Sequence, residues 1–304
     1  MKIYLSSMKV NDLIKLSEIN PAYKPNVLLT YYGLNDPEQF TKVHRDKINS
    51  LILDCGAYSL VKKGFKGAVY KEAAEQLFAG FKGYASVTQD DYDMLFSMDD
   101  RFDHESFDHN IDRLIDLEDN GVRVVPVVHN LDNHEIDYYL NRGHKTIAIG
   151  QCKKQNRKDL EVLFNAVEKI YSKDGVKTHI LGMTSPNLIM HVPAYSCDST
   201  SWEKYAERGK ILYWNSKEPK LDKTHTLYVP KYEKTKYKKG EYGLATYEYR
   251  SDFYEHINAK LGYVEDDFFV DGFVEPRIMA NILYFLELEE LITKEHEKLD
   301  VIFD

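Results

Sequence analysis

Three aspartates stand directly behind short, β-rich apolar runs: Asp54 after residues 51–53, Asp99 after 94–98, and Asp198 after 194–197. A lone aspartate at a strand end more often caps a helix or accepts a loop hydrogen bond than it catalyses anything. Three that converge on one rim are a different case. Carboxylates crowded in a partly dry pocket shift one another's protonation, so one can stay an anionic nucleophile while another carries a proton. That division of labour suits exchange at a glycosidic carbon.

Other apolar runs end in His129-Asn130, in Gly150-Gln151 and in Gly182-Met183-Thr184-Ser185. His129 reads equally as a donor to a ligand and as a histidine packed at a strand end for structural reasons. Leu181 and Met183 read equally as the floor of a site and as core.

The elements that must position these residues follow from periodicity. Strand-like runs fall at residues 27–31, 51–54, 94–98, 122–128, 146–149, 179–181, 194–197 and 211–214. Helical spacing of apolar residues fills the segments between them, for example 70–81, 107–120, 136–142 and 158–172. Alternating strand and helix implies a parallel sheet, and eight such units predict an α/β fold, a (β/α)8 TIM barrel over residues 1–215. Barrels of this kind carry their chemistry at the C-terminal ends of the strands, which is where the three aspartates fall. An open doubly wound sheet competes, but no G-x-G-x-x-G follows an early strand. Residues 216–304 leave the rhythm and are read as a C-terminal extension, a Lys/Tyr-rich segment followed by helices at 251–261 and 276–290, packed on the barrel.

The chain has 304 residues, 43% of them hydrophobic, enough for one large core. It contains no run of eighteen apolar residues, no secretory leader and no lipidation signal, so a soluble cytoplasmic protein without a membrane partner is expected. Cys55, Cys152 and Cys197 have no zinc-ligand spacing, so no disulfide framework and no structural zinc are expected. A net charge of −9 excludes a protein coated in positive charge for indiscriminate nucleic-acid binding. Positive charge is nevertheless segregated: residues 217–239 carry eight lysines against three acidic residues, with Tyr228, Tyr232 and Tyr237 interleaved. Such a segment reads either as a track for a phosphate backbone or as a solvated loop.

The strings LDCGAYS, DMLFSMDD, VPVVHN, IAIGQ, HILGMTSP and SCDST resemble, in order, the landmarks of the tRNA-guanine transglycosylase superfamily. That superfamily includes phage and bacterial enzymes that insert 7-deazaguanines into DNA. The resemblance covers scattered motifs between residues 51 and 202. It implies Asp198 as nucleophile, Asp54 as general acid/base, Tyr58 as the aromatic that stacks on the base, and Asp99 as the reader of guanine's N–H edge. His129 or Gln151 would supply the donor to the carbonyl edge, with Gly150 part of the same base-binding stretch, Gly182 would admit the base close to the backbone, and Leu181 and Met183 would form the floor opposite Tyr58. Cys55, Ala57 and Ser59 depart from the family's loop, and His129 stands where the family usually has Gln.

The chemistry implied needs no metal and no redox cofactor; its partners are a nucleic acid and a 7-deazaguanine base. The family's zinc-binding cysteine and histidine set, which helps tRNA-acting members hold tRNA, is missing after Asp198. DNA is therefore the favoured polymer and tRNA the alternative, with the host cytoplasm as the compartment if the chain is phage-encoded. An N-glycoside hydrolase and a non-catalytic nucleic-acid-binding subunit are the readings from other classes. The residues leave open a homodimer or a helper protein.

Overall fold

Residues 2–6 alternate between two buried environments, Ile3 and Leu5 facing one apolar shell and Tyr4 another, and this two-residue period makes them strand β1 (Lys2–Ser6). The computed structural model describes every residue except 103–106, 132–133, 151–156, 174, 221, 233, 271, 302 and 304. After β1 come α1 (Val10–Ile19), β2 (Asn26–Thr30), β3 (Ser50–Asp54), α2 (Ala57–Lys62), α3 (Gly67–Thr88), β4 (Met94–Leu95) and α4 (Phe107–Asp119). The pattern continues through β5 (Val127–Val128), α5 (Glu135–Asn141), β6 (Thr146–Ile149), α6 (Arg157–Tyr171), β7 (Lys177–Ile180), α7 (Pro186–Ile189), β8 (Ser196–Ser199) and α8 (Ser201–Glu207). The last part holds β9 (Lys210–Trp214), β10 (Thr224–Tyr228), β11 (Glu241–Gly243), α9 (Arg250–Leu261) and α10 (Glu275–Lys298).

Eight strands form one parallel sheet in the order β4-β3-β2-β1-β8-β7-β6-β5. The sheet is curled, an α/β architecture consistent with a TIM-like barrel. An isolated bridge between Phe96, just after β4, and Val125, just before β5, carries backbone hydrogen bonds from Val125 N to Leu95 O (2.7 Å) and from Ser97 N to Val125 O (2.8 Å). One separate cluster, built from Tyr4, Leu28, Ile52, Phe96, Val127 and Ala148 among others, fills the concave side of the sheet. A larger apolar shell packs the convex side against the helices. Strand alternation thus decides which residues face the interior, and the same phase carries Ser6, Asp54, His129, Gly150, Leu181 and Asp198 to its rim.

The number of strands matches the expectation but their identity does not. The 211–214 run is not the last strand of the parallel sheet; it is β9, the edge of a three-stranded sheet ordered β11-β10-β9. Its apolar run gives length and β character, which cannot say which sheet a strand joins. The place is taken by β1, which pairs with β2 and β8. Its inward residues are Tyr4 and Ser6, polar at their tips, so the segment lacks the continuous apolar run that marks other buried strands. Two strands are shorter than expected: β4 ends at Leu95 rather than residue 98, and β5 starts only after Pro126, which has no N–H for the ladder although its carbonyl still accepts Ala148 N at 2.8 Å.

Helix α10 ties the second sheet to the first. The side chain of Asn281, fully buried, accepts Leu212 N at 2.7 Å and donates to Trp202 O at 2.9 Å and Lys210 O at 3.2 Å. Two turns further on, Glu289 Oε2 accepts Ile3 N at 2.5 Å and Asn26 Nδ2 at 2.7 Å, at the end of the sheet opposite the rim. Among the described residues no helix is long and apolar enough to cross a membrane.

Candidate functional site

Asp198 is the most heavily held of the three carboxylates. It ends the inward phase of β8, is 8% exposed, and receives Ser6 Oγ at 2.7 Å and the Gly182 N–H at 2.6 Å on its two oxygens. Beneath it His179 lies with Nε2 3.5 Å from Oδ1. Burial alone would push the Asp198 carboxyl up, but the imidazole, the Gly182 amide and the Ser6 hydroxyl outweigh it and hold the group below its ordinary range. The result is a carboxylate that stays anionic.

Asp54, at the end of β3, is tuned the other way. Burial, then the negative charges of Asp99 and Asp198, push it up to about 7, against the N–H groups of Gly56 and Cys55. Gly56 N donates to Asp54 Oδ2 at 3.1 Å. The turn requires glycine: φ is +83°, and a Cβ would lie 2.5 Å from Thr30 Cγ2 and 2.7 Å from Tyr32 Cβ. In the sheet β3 and β8 are separated by β2 and β1, so the curl of the wall is what lets Asp54 and Asp198 act on each other.

Asp99 completes the set from the loop after β4. Its Oδ2 lies 2.8 Å from His129 Nε2, and its Oδ1 accepts the Cys55 thiol at 3.6 Å. His129 is therefore engaged with Asp99 through Nε2, while Nδ1 has no hydrogen bond among the described residues. Gly150 packs on that ring so closely that a Cβ would stand 2.8 Å from His129 Cε1. Tyr58, 45% exposed at the start of α2, stands edge-on to Phe102 at 5.8 Å, and Phe102 edge-on to His129 at 5.6 Å. Gly182 is exposed with φ +67°, Leu181 packs partly buried against the inner cluster, and Met183 against the outer shell. Gln151 lies outside the described residues, as does Cys152.

The structure therefore brings Asp54, Asp99, Asp198, His129 and Gly150 to one end of the sheet, with Tyr58, Leu181 and Gly182 beside them. Sequence reasoning missed three contributors. Ser6 was hidden with the strand that carries it. His179 was read only as the first residue of an apolar run, although alternation from Leu181 places it on the inner face. Phe102 follows Asp99 by three residues and had no periodic context.

Ligand atoms of Asp54, Cys55 and Asp99 lie within 4.8 Å of one another, a spacing that fits a metal ion. A metal there would require the Cys55 thiolate. Burial, then the charges of Asp54 and Asp99, raise this thiol well above its ordinary value, so it keeps its proton and donates it to Asp99.

Comparison of the sequence with protein-family models and with curated proteins finds no match.

Proposed function

We propose that this chain is a base-exchanging glycosyltransferase of the tRNA-guanine transglycosylase superfamily, built on a closed (β/α)8 barrel and acting on guanine in a nucleic acid. The observation that carries the reading is the opposed tuning of two carboxylates that sense each other: Asp198 held anionic, Asp54 poised near neutrality. An anion and a proton carrier on one rim are what double displacement at C1′ demands.

The polymer presents an extruded nucleotide, because C1′ and the base edge cannot both be reached inside a stacked duplex. Asp198 attacks C1′, the bond from C1′ to the purine nitrogen breaks, and Asp54 delivers its proton to the departing guanine. The covalent glycosyl-enzyme is then opened by a 7-deazaguanine whose ring N–H proton passes to Asp54, so the configuration at C1′ is retained. Asp99 accepts hydrogen bonds from the base, its remaining lone pairs still free for this beside His129 and Cys55. Tyr58 offers an exposed ring for stacking. DNA is the favoured polymer, with the Lys/Tyr-rich segment as its track, although Lys217, Lys220 and Lys234 of that segment pair with Asp252, Glu218 and Glu241.

The test is to incubate the chain with guanine-containing DNA or tRNA and labelled 7-deazaguanines. Label entering the polymer with release of guanine, and loss of both on Asp198→Asn, is the expected result. Guanine release without label would make the enzyme a hydrolase, and neither event in either polymer would end the proposal.

A further inference from the structure

Away from the carboxylate rim, the C-terminal layer encloses a cavity of about 350 Å³ whose walls include Tyr232, Arg250, Phe268, Phe269 and Arg277. Arg277, in the first turn of α10, is 4% exposed. Its Nε donates to Ala206 O at 3.0 Å, which satisfies one donor and no charge. Among the described residues no carboxylate pairs with it; the charged or polar ring facing it is that of Tyr232, 6.0 Å from the guanidinium carbon. A buried guanidinium without a counter-charge is costly and is unusual unless something anionic completes it. Burial accordingly pulls its pKa below the usual arginine value.

The remaining walls point to the same kind of ligand. Arg250, which pairs with Glu265, also lines the cavity, and no acidic side chain is among the described lining residues. Tyr232 and Phe269 are 38% and 37% exposed, large rings left open beside a cation. The Tyr232 ring is seated against Gly209, where φ is +68° and a Cβ would stand 2.1 Å from ring carbon Cδ2, so the backbone there is shaped to receive it. Flat aromatic surfaces next to an arginine fit a phosphate, taken by the planar fork of the guanidinium, joined to a base that stacks.

We infer that this cavity is a binding site for a phosphate group carried by a nucleoside, with Arg277 holding the phosphate and Tyr232 and Phe269 flanking the base. The inference uses none of the carboxylate chemistry and stands or falls separately from base exchange. The phosphate can belong to a free nucleotide or to a nucleic-acid strand, and the two are separable.

The measurement is titration calorimetry at low salt with adenosine 5′-monophosphate, adenosine, and a short thymidine oligonucleotide without terminal phosphates. The nucleotide should bind at least about tenfold more tightly than the nucleoside. Arg277→Met should weaken the nucleotide by about tenfold or more and leave adenosine unchanged, whereas Tyr232→Ala should weaken both. Competition in which the oligonucleotide binds more tightly than the nucleotide assigns the site to a strand; the reverse assigns it to a free nucleotide. Tyr232 is on the surface, so its variant keeps the test alive should Arg277→Met fail to fold. Absence of binding by any probe, equal affinity for adenosine and its monophosphate, or full nucleotide affinity in either folded variant would overturn the assignment.

Discussion

His179 lies under Asp198 with its Nε2 3.5 Å from Oδ1, while its Nδ1 meets Ser196 Oγ at 2.8 Å and the ring is wedged between Tyr4 and Phe96. The imidazole is fully buried and too deep to touch a substrate at the rim. It acts through Asp198, as a positioning group. Replacing it with leucine fills the space but removes the attraction that opposes burial, so the Asp198 carboxyl should rise. On the proposed mechanism Asp198, as nucleophile, would then be protonated over a wider range, and the acid limb of the rate against pH should move to higher pH. At pH 7 we expect kcat to fall roughly 10- to 100-fold with KM little changed. Single-turnover guanine release from pH 4 to 8 checks this; an unmoved acid limb would show that His179 merely packs.

Gly56 gives a prediction that separates backbone from chemistry. Alanine at this position must hold φ near +83° and push against Thr30 and Tyr32, both fixed in the neighbouring strand and its following turn. The expected cost is about 1–3 kcal/mol, larger than for an ordinary glycine to alanine change at an unstrained site. Since Gly56 N also donates to Asp54, any relief by backbone movement should lower activity as well. Denaturant unfolding and the transfer assay together read both effects. Wild-type stability with wild-type rate in Gly56→Ala would mean that the turn is free to rearrange.

Much of the rim was legible because strand ends announce themselves: an apolar run stops, and Asp54, Asp99 or Asp198 follows. The same endings mark His129 and Gly150, which directly follow the apolar runs 122–128 and 146–149. What sequence could not give was the membership of the sheet. Ile211 and Leu212 carry as much β character as Ile3 and Leu5, and only packing decides that Ile3 pairs with Cys197 while Ile211 pairs with Leu227. The partners of the carboxylates were equally hidden. Ser6 and Asp198 are 192 residues apart, and no local pattern relates them.

Asn281 should prove a stability residue without a role in chemistry. Its side chain satisfies two buried backbone groups, on Leu212 and Trp202, and a part-buried one on Lys210, and so joins α8, β9 and α10. Leucine has the same branched shape, with bulkier tips, but leaves one N–H and two carbonyls without this partner. At about 1–3 kcal/mol for each unsatisfied group, a total loss of roughly 3 kcal/mol or more is expected. Urea unfolding of Asn281→Leu measures it; a change below about 1 kcal/mol would mean that the second sheet shifts and finds other partners.

Asp54 offers a prediction in which function and stability pull apart. Its carboxyl, near 7 in the folded chain against about 4 when unfolded, binds a proton in the folded state that the unfolded chain has already lost between those values. Folding stability therefore falls as pH rises from about 4 through 7, because the folded state must give up that proton beside Asp99 and Asp198. Asp54→Asn is neutral at every pH and escapes this. It should melt at a higher temperature than wild type at pH 8, with the advantage shrinking as the pH is lowered and largely gone near pH 4. Its amide has no proton to deliver to a leaving purine, so transfer should drop by about a hundredfold or more throughout. On the proposed mechanism, the wild-type step that expels guanine should weaken as pH rises through about 7, the range in which Asp54 loses its proton. Melting curves and single-turnover rates over pH 4–9 provide both readouts. A melting difference that does not change with pH would remove the raised carboxyl, and with it the case for Asp54 as the proton carrier.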